Sequence, residues 1–148
     1  MSILNIAALS VLLAFPFPTF NTLEQAFLQN SPETLRGLFS SSGDIPLSLP
    51  EPLACADQVS PDQAYFIFKQ IFGVFKTTEF YIDQSFSSFP GKPGGIIGAR
   101  WSFRNQRTGN RYPFRVFFFF APEVGTARAP ALGPRLGFKI VEIRAERL

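Results

Sequence analysis

The chain has 148 residues, the size of one ordinary domain, with 14 basic and 11 acidic residues and a formal net charge of +3. At 46% hydrophobic and 17% charged residues it is too apolar and too weakly charged for intrinsic disorder. The absence of histidine removes the commonest metal ligand and the usual general base. The single cysteine, Cys55, excludes an intrachain disulfide and a cysteine-rich zinc site, so no metal and no cofactor are expected.

The first feature along the chain is an apolar run over 3–15, interrupted by Asn5 and Ser10 and followed by Pro16 and Pro18. It is too short to cross a bilayer, which takes roughly 20 residues, but it has the length of a signal-peptide core. Residues 1–18 are therefore assigned to a signal peptide or N-terminal apolar segment of an exported, periplasmic or secreted protein. No Lys or Arg precedes the run and no small-x-small cleavage site follows it, which argues for the competing reading, an N-terminal helix on a cytoplasmic domain. Residues 19–148 are assigned to one domain.

Asn21 or Thr22 caps a first helix over 22–30, with Leu23, Ala26 and Phe27 on its apolar side. Ser31-Pro32-Glu33 opens a second over 32–39. A short strand follows at 45–49, and burial is expected for Cys55 beside Leu53, Ala54 and Ala56. Ser60-Pro61-Asp62-Gln63 is a capping box, and the helix it starts, 60–75, is apolar nearly all round. From 77 the period changes to two: Phe80, Ile82, Gln84 and Phe86 alternate with Glu79, Tyr81, Asp83 and Ser85. Turn residues at 90–95 lead to a strand with Ile97, Ala99, Trp101 and Phe103 on one face and Arg100, Ser102 and Arg104 on the other. Thr108-Gly109-Asn110 closes a hairpin, and the return strand alternates Phe114, Val116, Phe118 and Phe120 with Arg115, Phe117 and Phe119. A loop at 125–134 and a last strand at 136–145 complete an α+β order, helices first and then an antiparallel meander.

Charge is unevenly distributed. Residues 1–60 carry Arg36 alone against five acids, a net −4, whereas residues 91–148 sum to +8. The basic half alternates with apolar residues, as expected of a solvated sheet face.

Over 21–147 this order of paired short helices, short strand, capped third helix and closing Phe138-Lys139-Ile140-Val141-Glu142-Ile143 resembles the nuclear-transport-factor-2-like superfamily. The resemblance is nearest to an exported bacterial family of unknown function, with its opening Glu24-Gln25-Ala26-Phe27. It implies a cone of helices packed on a curved antiparallel sheet, cystatin-like in outline, with a pocket between the layers and homodimers formed through the sheet. Phe117 and Phe119 would suit that interface; a second buried layer is the competing reading.

Candidate chemistry is sparse. Tyr81 and Asp83, two apart, would share a sheet face, and burial would raise the Asp83 pKa for proton transfer, as in steroid isomerases. The alternative places both in solvent on an edge strand. Arg100 and Arg115 with Glu142 form either a cross-strand ion network or a pocket for a small anionic ligand. Arg100, Arg104 and Arg107 interleave with Trp101 and Phe103, but the rings lie on the opposite face from Arg100 and Arg104, which argues against a nucleic-acid platform. The expected function is a non-catalytic ligand-binding or protein-interaction domain, and the alternative a small pocket enzyme of the isomerase or cyclase kind.

Overall fold

The computed structural model describes residues 17–88, 94–124 and 136–148. The N-terminal apolar run, most of the 90–95 turn and the 125–134 loop lie outside them. Helix α1 (Phe17–Leu28) begins several residues before the expected Asn21 or Thr22 cap. Pro18 falls in its first turn, where its missing N–H has no intrahelical partner to lose. The helix buries Leu23, Ala26 and Phe27. The turn that follows it closes at Asn30, whose φ of 50° is left-handed, and the Ser31 N–H reaches back to the Ala26 carbonyl at 2.8 Å. Asn30 Oδ1 also accepts the Thr77 N–H at 2.9 Å, so the end of α1 is tied to the third strand.

Helix α2 (Pro32–Arg36) is capped by Ser31, whose hydroxyl accepts the Thr34 N–H at 3.2 Å, and it stops before the expected residue 39. In α3 (Pro61–Val74) the capping box is complete. Ser60 Oγ accepts the Gln63 N–H at 3.1 Å, and Gln63 Oε1 accepts the Ser60 N–H at 2.9 Å. This helix is not buried all round. Ala64, Phe68, Ile71 and Phe72 face the core, while Phe66 is 57% exposed, because one stripe alone meets the sheet. Tyr65 donates to Glu33 at 3.0 Å and Arg36 pairs with Asp62, clasping α2 to α3.

The strands are β1 (Ile45–Leu49), β2 (Cys55–Val59), β3 (Phe75–Ile82), β4 (Gly95–Asn105), β5 (Arg111–Val124) and β6 (Leu136–Arg147). They form one sheet in the order β2-β1-β6-β5-β4-β3. Its neighbours are antiparallel except β1 and β6, which run parallel, so the sheet is mixed and not a pure meander. Strand β2 was not expected. It is an edge strand that buries only Val59, so it has no alternation to read. Cys55 lies on it half-buried, short of the expected burial. Partial desolvation, and secondarily the Asp57 charge, push its thiol pKa up. The register shifts at Thr77/Glu79 on β3 and at Phe119/Phe120 on β5, the irregularities at which a sheet can curve. No helix among the described residues is long and apolar enough to cross a membrane.

Candidate functional site

The space between helices and sheet is where a cone of this kind can hold a pocket, and rings meet there. Phe27 stacks on Phe80 with centroids 4.5 Å apart. It meets Trp101, Phe72 and Phe118 edge-on at 5.0, 5.6 and 5.6 Å. Trp101 Nε1 donates to Thr77 Oγ1 at 2.9 Å, which satisfies the indole N–H within this apolar layer. Among the described residues the sole buried polar side chain is Ser40, and it sits elsewhere, bonded to Glu123. Among the described residues no ionisable side chain is buried with the ring cluster, and no group of His, Cys, Asp or Glu could hold a metal ion.

Tyr81 lies near the end of β3, at the sheet edge, and is 43% exposed. Asp83 falls just past the strand, which ends at Ile82, and caps a 3-10 turn over Gln84–Phe86. Its Oδ1 accepts from the Ser85 hydroxyl at 2.6 Å and the Ser85 N–H at 3.0 Å. Those bonds, the hydroxyl foremost, hold the Asp83 pKa below the usual aspartate value, with Arg115 adding to the effect. The direction is opposite to the one proton transfer would need. A depressed pKa stabilises the fold fully above the unfolded-chain value, and that contribution is lost as the pH falls through the folded value. In a carboxyl-carbon NMR titration Asp83 should therefore ionise below an exposed aspartate, and Ser85→Ala should move its midpoint upward.

The turn carries Phe86 back over the outer face of the sheet, a placement that continued alternation from Phe80 had missed. The readable signals were Asp83-x-Ser85, a side-chain-to-backbone turn, and Gly98, whose missing Cβ leaves room for the turn. Arg115 stacks over the Phe86 ring at 3.8 Å, and Phe117 meets its edge at 6.4 Å. Phe117 and Phe119 are half-buried on this same outer face, with the Arg144 guanidinium 5.6 Å from the Phe119 ring.

Of the three candidate ligand-binding residues, Arg100 and Arg115 stand directly opposite each other on β4 and β5. Each has its own acid: Arg100 lies 3.8 Å from Glu79, and Arg115 donates to Glu146 at 3.1 Å. Glu142 is opposite Phe119 and accepts from Arg144 at 2.8 Å, so it does not join the two arginines. Trp101 and Phe103 are fully buried on the inner face, away from Arg100 and Arg104.

A curved, six-stranded sheet with three helices on its inner face is the cone of the nuclear-transport-factor-2-like and ketosteroid-isomerase-like proteins, and this chain has that fold. It is similar to an NTF2-like protein of unknown function in nutrient uptake from Rhodospirillum rubrum, with a TM-score of 0.59 and 12% identity over 86% of this chain and 93% of that one. A ketosteroid isomerase-like protein from Erwinia carotovora atroseptica superposes with a TM-score of 0.58 and 10% identity, over 84% of this chain and 86% of that one. A domain of unknown function with a cystatin-like fold from Nostoc punctiforme gives 0.57 and 12%, over 86% and 72%. No protein-family model and no curated protein matches the sequence.

Proposed function

We propose that the chain is a non-catalytic interaction domain that presents the outer face of its sheet to a second copy of itself. The observation that carries this reading is the aromatic patch of Phe86, Phe117 and Phe119, incompletely covered and flanked by Arg100, Arg115 and Glu142. Rings flanked by arginines are the composition of protein interfaces. The isomerase-like alternative has less support, because Asp83, half-buried at a turn outside the ring cluster, has a lowered pKa and the inner layer holds apolar rings.

Sedimentation or light scattering of the purified chain tests it. The wild type should be a dimer, and the double variant Phe117→Asp, Phe119→Asp a monomer with unchanged far-ultraviolet circular dichroism. A monomeric wild type, or a dimer that survives both substitutions, overturns it. Export is part of the same proposal, supported by the apolar run over 3–15. Mass spectrometry of the protein recovered from a bacterial periplasm should show that segment removed.

A further inference from the structure

The register of the outer face places two arginine pairs in cross-strand rows, and they differ. In the row through Arg100 and Arg115, Glu79 and Glu146 pair with the two cations. In the row beside the β4–β5 hairpin, Lys76 opposes Arg104, and Arg104 opposes Arg111, on three adjacent strands. Like charges directly opposite one another destabilise a sheet. Lys76 Nζ turns away to the Phe72 carbonyl at the end of α3. Among the described residues, no acid makes an ion pair with Arg104 or Arg111. Arg107, exposed in the hairpin turn, adds another cation nearby.

Against this row opens a cleft of about 320 Å³ lined by Thr78, Glu79, Ser102, Arg111, Tyr112 and Pro113. Thr78 is the extra residue of the β3 bulge, and its hydroxyl donates to the Ser102 carbonyl at 3.1 Å. Arg147 lies 5.2 Å from the Tyr112 ring on the far side. Glu79 is the one acid of the rim, and its carboxylate faces Arg100.

We propose that Arg104 and Arg111, with the hydroxyl of Ser102, form a binding site for a small polyanion bearing two neighbouring phosphate or carboxylate groups. Guanidinium forks take such groups two oxygens at a time, and a bound dianion would neutralise the repulsion the row otherwise carries. The repulsion is a sheet-pairing rule broken without internal compensation, which is where functional sites concentrate. A nucleic acid fits less well, because Trp101 and Phe103 are buried on the opposite face and offer bases no stacking surface. This site lies four residues along β5 from Phe117 at its nearest point, Pro113, with Arg115 intervening, and either proposal can fail without the other.

The test is calorimetric and NMR titration of the whole chain at low salt with pyrophosphate and, separately, citrate. One-to-one binding is expected, shifting the Thr78, Ser102 and Arg111 amides, and the tighter probe identifies a phosphate or a carboxylate ligand. Arg104→Gln with Arg111→Gln should weaken binding at least about tenfold, while Arg36→Gln on the helical side leaves it unchanged. Because the double variant removes opposed charges, its melting temperature should not fall, and Arg111→Lys, which keeps charge but loses the fork, should bind at an intermediate level. Absence of binding to both probes, equal binding by the double variant, or an oligonucleotide binding on the order of a hundredfold tighter than pyrophosphate overturns the proposal.

Discussion

Phe27→Ala is expected to lower the stability of the fold by about 3–5 kcal/mol, the range for removing a fully buried phenylalanine. The side chain has 0% exposure and joins the helices to the sheet, meeting α3 through Phe68 and Phe72 and the sheet through Phe80, Trp101 and Phe118. Its neighbours come from four different elements and are held by backbone hydrogen bonds, so they cannot close together on the vacated volume. Domains of this size unfold at a net cost of only about 5–15 kcal/mol, so the loss is a large part of the total. Urea unfolding followed by fluorescence of Trp101, the chain's single tryptophan, reports directly on the cluster. The midpoint should fall with little change in slope. Phe66→Ala, on the exposed side of α3, should change stability by no more than about 0.5 kcal/mol. Equal effects from the two substitutions would overturn the packing described.

The elements easiest to read in the sequence were those whose signals are local and repeated. Ser60-Pro61-Asp62-Gln63 announces a helix by capping chemistry alone, and Phe114, Val116, Phe118 and Phe120 announce a strand by period. The cone could be recognised because a capped third helix and four long strands in this order leave few other layered packings. Strand β2 was not legible, since an edge strand with Ala56, Asp57 and Gln58 in solvent has no alternation to detect. Nor was the parallel pairing of β1 with β6, which joins Leu47 to Ile143 across most of the chain and follows from tertiary packing. At the site, alternation correctly put Phe117 and Phe119 on the outer face but carried β3 too far. Register, invisible in one dimension, decides that Arg104 opposes Arg111 and that Glu142 stands apart from Arg115.

Gly98→Ala should cost about 1–3 kcal/mol, as overpacking in a tight contact does, and it should also release the outer-face ring. A Cβ at this position would lie 2.5 Å from the Phe86 carbonyl oxygen and 2.6 Å from the Phe86 Cβ. Because the nearest atom is backbone, no side-chain rotation relieves the clash, and the Gln84–Phe86 turn must lift from β4. Lifting strains the Asp83 N–H bond to the Gly98 carbonyl at 2.8 Å and the Gly98 N–H bond to Ser87 Oγ at 3.0 Å. It also draws Phe86 away from the Arg115 guanidinium and from Phe117. The substitution should therefore lower the melting temperature and shift the Arg115 side-chain NMR signals, which lose the ring current of Phe86. Phe86→Ala alone, which removes the ring while leaving the backbone turn in place, should be milder. Adding Phe86→Ala to Gly98→Ala should not restore stability, since the clashing carbonyl remains. A full rescue by the double variant would place the contact on the Phe86 side chain and sink this account of the glycine.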